Sequence, residues 1–371
     1  MLKKFLIKLM LFCTPFGVLM GTVNYFGDAG TLFSSPELQI AKYLAEGYNV
    51  ANAPNIDERA LQRHVIALLK TTPSVIVLGS STILLMKSTN ASTNSFMNHG
   101  VSGASLEDMI AIYQLYKSRG VLPKKIIMGI DPWIFNKNSG QLKWKTLEYA
   151  YTAFVLSEPM REQSSMHLDK FYQLFSPSYF QSSIKTLYAK LIRKEKIVLL
   201  PTKQRINNSL TRLVDGSISY GPKNQNLTVQ EVEKRAKQDM VGGDTINLLE
   251  KYTHLSKKHR DLFDKFISQI ISQNIDLTFV LIPYHPSLYT FMLTNNAYRM
   301  VTEFEQYIKG YAQQKKIKLM GSYDPARFNL DSNYFYDGMH VNEKGLEIVL
   351  KGSPSPHPRE KSRYVQTAGS L

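Results

Sequence analysis

Three short stretches of this sequence combine residue types that can do covalent chemistry. The first, Leu78-Gly79-Ser80-Ser81, closes the apolar run Ser74-Val-Ile-Val-Leu78. A serine in the turn after a strand can present its hydroxyl to a cleft, with its own backbone N–H aimed where an oxyanion would form. The second is Asn98-His99-Gly100-Val101-Ser102-Gly103, where Gly103 allows close backbone approach to a ligand and offers an N–H donor. The third is Tyr336-Asp337-Gly338-Met339-His340. A carboxylate three residues before a histidine can bond the imidazole Nδ1–H, fixing the tautomer and leaving Nε2 to take a proton from a serine. Taken singly, each has a plain reading too. Gly-Ser-Ser is common in turns, Gly103 serves as a loop glycine, and Asp337–His340 forms a surface loop ahead of a helix capped by Asn342.

Two further segments sit at the ends of apolar runs. Gly129-Ile130-Asp131-Pro132-Trp133 follows Lys125-Ile-Ile-Met-Gly129, and Pro283-Tyr284-His285-Pro286 follows Leu277–Ile282. Trp133, Tyr284 and His285 are therefore expected to line a substrate groove, with a plain loop histidine as the other reading of His285. His285, His340 and Asp337 show no recognised metal-ligand spacing. The single cysteine, Cys13, lies inside the first apolar run, which leaves the rest of the chain without thiolate ligands or disulfides. No metal and no cofactor are expected.

These residues need a scaffold that brings strand ends together. The runs 74–78, 125–129, 277–282 and 317–320 read as strands buried on both faces. Between them, helical spacing or caps predict helices over 58–70, 105–118, 257–273 and 296–314, with Ser105 as an N-cap and Asp108 completing a capping box. Strands alternating with helices of this length predict an α/β fold, a three-layer α/β/α sandwich around a parallel sheet. Residues 27–60 read as a linker broken by Pro36, Pro54 and Asn55. The core then runs over 61–145 and 256–351, separated by a mostly helical insertion or cap at 146–255. Residues 352–371, rich in Pro and Ser, read as a flexible tail.

The N-terminus carries Lys3, Lys4 and Lys8 before an apolar run ending at the aromatic pair Tyr25 and Phe26. At about 20 residues per span this segment is long enough to cross a bilayer. Residues 1–26 are expected to be a retained signal anchor; the competing readings are a signal peptide cleaved near Gly27 and Ala29, and a buried core helix. The flanking lysines place the remainder outside the cytoplasm, in the periplasm or at the cell surface. The formal net charge of +15 favours anionic partners, and the basic residues are densest from Lys185 to Arg205. No zinc-finger, basic-zipper or aromatic RNA-binding pattern accompanies them, so nucleic acid is not an expected partner.

In order and spacing, Gly79-Ser80-Ser81, Gly103 and Asp337-x-x-His340 resemble the blocks of the SGNH (GDSL-type) hydrolases. With the N-terminal anchor, they are most similar to the membrane-anchored DltD branch and the alginate-acetylation proteins. The resemblance covers about residues 73–131 and 277–351. It implies a Ser81, His340 and Asp337 triad, with the Ser81 and Gly103 N–H groups holding an oxyanion. It further implies acyl transfer or ester hydrolysis on a cell-envelope polysaccharide or polymer, and a membrane-bound O-acyltransferase as partner. One block departs from the pattern: Asp131 stands where the family has an oxyanion-donating asparagine, and losing one such donor typically costs about 10²–10³ in rate. That departure, with the basic charge, keeps open a second reading, a catalytically weak or inactive protein of the same fold that binds an anionic glycan or assists polymer assembly.

Overall fold

The computed structural model describes residues 2–27, 35–53, 56–160, 174–191, 199–242 and 244–352. Ala29, Pro54, Asn55, residues 192–198 of the basic stretch and all of the expected tail beyond Gly352 lie outside the described residues. The chain divides into two units. In chain order its strands are β1 (Asn49–Ala51), β2 (Val75–Leu78), β3 (Phe96–Asn98), β4 (Lys125–Gly129), β5 (Leu200–Thr202), β6 (Thr211–Arg212), β7 (Ile218–Ser219), β8 (Asp276–Leu281) and β9 (Lys318–Gly321).

The unit built from Pro73–Leu106, Pro123–Gln141 and Lys223–Leu371 carries the chemistry-bearing residues. Its sheet has five strands in the order β3-β2-β4-β8-β9, and every pairing is parallel. The residue types explain this. Val75-Ile-Val-Leu78 is buried throughout, and so is β8 after Asp276, because a strand covered on both faces needs an unbroken apolar run. The Lys257–Ser272 helix packs on β8 and buries Phe263, Phe266, Ile267 and Ile270, an i, i+3, i+4, i+7 stripe. The Met300–Lys315 helix packs on β9 and buries Met300, Val301, Phe304 and Ile308. From β2 the chain goes to β3 on one side, then crosses to β4 on the other. The gap beyond the carboxyl ends of β2 and β4 is thus the topological switch point, where open parallel sheets bind ligands.

The other unit comprises Met1–Thr72, Glu107–Leu122 and Leu142–Pro222. It contains an antiparallel sheet of order β5-β1-β6-β7. One expectation changes here. Residues 35–53 are no linker: Pro36 opens a helix to Ala45, as its fixed φ allows at N1, and Ile40, Ala41 and Leu44 are buried on it. The described residues of 146–255 form helices at Glu148–Leu156, Pro177–Leu191, Val229–Met240 and Asp244–Leu249, and the stretch holds short strands as well. It supplies β5, β6 and β7, and β5 and β6 pair with β1 about 150 residues earlier, a non-local pairing invisible to local periodicity. From Lys223 onward that stretch belongs to the parallel-sheet unit. Asp108 is buried and receives two hydrogen bonds of 2.9 Å from the Arg59 guanidinium. The N-terminal helix runs Leu2–Gly27, and Met10, Leu11, Phe12 and Phe16 are exposed on it. It is long and apolar enough to span a membrane.

Candidate active site

Beyond β2, Gly79 takes φ +148, a conformation open essentially to glycine. A Cβ there would also stand 3.0 Å from the Gly129 carbonyl oxygen at the end of β4, so the close approach of the two strand ends requires glycine. The Ser80 hydroxyl then accepts from the Thr82 N–H at 3.3 Å, and Ser81 opens a short 3₁₀ turn to Ile83. Asn98, buried at the end of β3, ties this turn down. Its amide donates to the Ile83 and Met86 carbonyls at 2.9 and 3.0 Å, and its oxygen accepts the Gly100 N–H at 2.8 Å. The turn and the Gly100 loop are therefore fixed by one side chain.

His340 comes from the loop after β9. The Tyr336 N–H donates to the His340 carbonyl at 2.8 Å, and Phe335 bridges Val341, closing the loop on itself. Asn342 then caps the Glu343–Lys351 helix by accepting the Gly345 N–H at 3.0 Å. Inside the loop, Asp337 Oδ1 accepts the Met339 and His340 N–H groups, each at 2.8 Å. Both Asp337 oxygens lie 2.9 Å from His340 Nδ1, and His340 Nε2 lies 2.9 Å from Ser81 Oγ. The structure thus joins Ser81, His340 and Asp337 in one hydrogen-bonded chain. The His340 side chain is 21% exposed and that of Asp337 28%, so the chain reaches solvent.

The electrostatics suit proton relay. Burial alone would raise the Asp337 carboxyl, but the adjacent imidazole and the two backbone N–H donors outweigh it and hold the group below the usual carboxylate range. Asp337 is therefore an anion, Nδ1 carries the imidazole proton, and Nε2 accepts from Ser81. Burial disfavours the His340 imidazolium, yet Asp337 by charge and hydrogen bond, with added charge from Asp239 and Asp131, carries the imidazole above its usual 6.5.

Asp131 follows β4, as expected, and is buried. Burial pushes its carboxyl up to about 6, against hydrogen bonds from Ser80 and Thr82 and the charge of His340. Thr82 Oγ1 donates to Asp131 Oδ1 at 3.3 Å. Asp131 therefore acts as an acceptor that braces the Ser80–Thr82 turn, and its carboxylate offers no proton to an oxyanion at neutral pH. The Ser81 and Gly103 N–H groups have no hydrogen-bond partner among the described residues. Gly103 adopts φ +58, and its carbonyl accepts from the Gln141 side chain at 2.8 Å.

Three expected groove residues are placed differently. Trp133, Tyr284 and His285 are at most 2% exposed and cannot line an open groove. The Trp133 indole N–H donates to the Ala104 carbonyl at 2.8 Å. Tyr284 lies beside the Tyr323 ring at 5.5 Å. His285 Nδ1 accepts the Ser287 N–H at 3.2 Å, which leaves Nε2 to donate to Ser332 Oγ at 3.0 Å. His285 and His340 each commit both ring nitrogens to different partners, so with Asp337 they do not converge on a common ligand point. His99 is also buried, and burial lowers its pKa to about 3, leaving it neutral and outside the relay.

The residues that sequence reasoning missed are those that brace the chain. Thr82 adjoins a recognised motif and Asn98 opens another, but neither carries a signal of its own. Asp239, whose Oδ2 accepts the Gly338 N–H at 2.9 Å, comes from a helix read as part of an insertion. Neither a protein-family model nor a curated protein matches this chain.

Proposed function

We propose that this chain is a serine esterase or O-acyltransferase of the SGNH type, with a three-layer α/β/α core. The observation that carries the reading is the 2.9 Å contact from Ser81 Oγ to His340 Nε2, with His340 Nδ1 on both Asp337 oxygens, at the switch point of a parallel sheet. In the proposed cycle Ser81 Oγ attacks the carbonyl carbon of an acyl ester, and its proton passes to His340 Nε2. The tetrahedral oxyanion faces the Ser81 and Gly103 N–H groups. Its collapse breaks the ester C–O bond, and the leaving alcohol takes the proton from His340. Water or a sugar hydroxyl then attacks the Ser81 ester and gives its proton to His340, releasing acid or acylated sugar and restoring Ser81. Asp337 stabilises the imidazolium in each half-cycle.

The N-terminal helix supports a membrane-anchored, extracytoplasmic site. A fixed position at the membrane suits transfer to a cell-envelope polysaccharide or polymer, with a membrane-bound O-acyltransferase as donor. One observation favours the second reading, a glycan-binding protein with little or no activity: Asp131 stands where an oxyanion donor is expected and is itself an acceptor. The test is acetyl-ester hydrolysis and fluorophosphonate labelling by the full chain in detergent, beside Ser81→Ala and His340→Ala. Labelling lost in Ser81→Ala, with turnover lost in both variants, supports the enzyme. Labelling that survives in Ser81→Ala removes it, and an inert parent protein shifts the reading to the binder.

A further inference from the structure

The helix Val229–Met240 has no counterpart in the motifs that suggested the site, yet it is docked onto the His340 loop by two carboxylates. Its Thr228 cap, with Glu231 returning to the Thr228 N–H at 2.8 Å, fixes where the helix starts. Glu233 accepts from Ser332 Oγ at 2.5 Å and from Ser287 Oγ at 3.0 Å. Further along, Asp239 accepts the Gly338 N–H at 2.9 Å, while the Gly338 carbonyl accepts the His285 N–H at 2.9 Å. The peptide between Asp337 and His340 is thereby held on both sides. Position 338 has no room for a side chain: a Cβ would stand 2.8 Å from Asp239 Oδ2 and 3.0 Å from Leu288 Cδ2.

We propose that Asp239 is a positioning residue of the Ser81 site, which clamps the Asp337–His340 loop through the Gly338 N–H and presents a second carboxylate to the imidazolium formed during turnover. The inference rests on the triad reading. The charged groups around the imidazole are Asp337 from its own loop, Asp131 from the end of β4 and Asp239 from this helix. Those around Asp239 are Asp337, His340 and, one turn back on its own helix, Arg235. Burial and the Asp337 charge raise the Asp239 carboxyl, consistent with two acids crowded beside one base. When Ser81 gives its proton to His340, the cation appears between carboxylates that otherwise repel each other. That contact is stronger with the imidazolium than with the neutral ring, as a catalytic contribution requires.

The test is the rate of fluorophosphonate labelling of the full chain in detergent, followed from pH 5 to pH 9. In that reaction the Ser81 Oγ–P bond forms, the P–F bond breaks, fluoride leaves and the Ser81 proton goes to His340. Asp239→Asn keeps an acceptor for the Gly338 N–H but removes the charge. Its plateau rate is expected within about threefold of the parent, with the midpoint of the acid limb moved down by about half a pH unit or more. Asp239→Glu keeps the charge and should keep the limb near the parent's position. Asp239→Ala removes the acceptor as well and should lower the plateau by about tenfold, near 1.4 kcal/mol. Should Asp239→Asn fail to fold, Asp239→Ser supplies a neutral acceptor and gives the same comparison. Superposable parent and neutral-variant profiles, with Ser81→Ala inert, overturn the role of Asp239 and leave the triad intact. Full labelling of Ser81→Ala overturns both.

Discussion

Replacing Asp131 by asparagine tests the electrostatic reading of the site through stability and activity at once. The Asp131 side chain is buried, and burial carries its carboxyl from 3.8 to about 6. A carboxyl whose folded pKa is raised binds its proton more tightly in the folded state. Its contribution is therefore fully present below pH 3.8, declines as pH rises towards about 6, and stays lost above that. At about 1.36 kcal/mol per pH unit, the interval from 3.8 to about 6 amounts to about 3 kcal/mol. The substituted amide would be neutral at every pH, and its oxygen can still accept from the Thr82 hydroxyl. Asp131→Asn is accordingly expected to be more stable than the parent by up to about 3 kcal/mol at pH 7.5, with the gain vanishing towards pH 4. The assay is urea unfolding of the full chain in detergent at pH 4, 5, 6 and 7.5. Removal of the Asp131 charge also moves the acid limb of the activity profile down, because that charge helps to raise His340. The new amide supplies a donor at the expected oxyanion position, so ester turnover at pH 8 should rise by at least about tenfold. A variant less stable than the parent at pH 7.5, or a stability difference that does not change with pH, refutes the reasoning.

Asp337→Asn should leave the chain folded but lower ester turnover by about 10⁴, because the imidazole loses its anionic partner and its tautomer is no longer fixed; steady-state rates at matched protein concentration check this. In the parent, turnover should fall as pH drops through a value above 6.5, since His340, the proposed general base, would work only as neutral imidazole and Asp337, Asp239 and Asp131 raise its pKa; a pH–rate profile locates the limb. Arg59→Ala should destabilise the chain by about 3–5 kcal/mol in denaturant titration, because it leaves the buried Asp108 carboxylate without its guanidinium. Gly79→Ala should cost more than about 2 kcal/mol, measured the same way, since alanine at φ +148 is strained and its methyl meets the Gly129 carbonyl.

What was legible in the sequence is what one segment encodes alone. Val75–Leu78, Lys125–Gly129 and the helix Lys257–Ser272 announce themselves by unbroken or periodic apolar residues, and Asp337 with His340 sits within one loop. β3 escaped because it is three residues long and ends in Asn98, a polar side chain whose bonds to Ile83 and Met86 exist only after folding. Trp133, Tyr284 and His285 were misplaced for a different reason. Position near a strand end locates a Cα at the correct edge of the sheet, but side-chain direction depends on the turn that follows, and the Pro132–Phe135 turn carries the Trp133 indole inward to the Ala104 carbonyl.

Charge shows the same division between what composition gives and what folding decides. The chain as a whole is basic at +15, which favours anionic partners. Yet the carboxylates gathered near His340 are Asp337, Asp239 and Asp131, and among the described residues Arg235 is the permanent cation acting on Asp239. A local field of that sign stabilises a transient imidazolium and repels a substrate carboxylate brought beside it. It therefore suits an uncharged ester at Ser81 better than a carboxylate-bearing sugar, and it weakens the case that the Ser81 site exists to hold an anionic glycan. Any attraction between the basic surface and an acidic polymer must act away from Ser81, where it would tether the polymer without placing its charges beside His340.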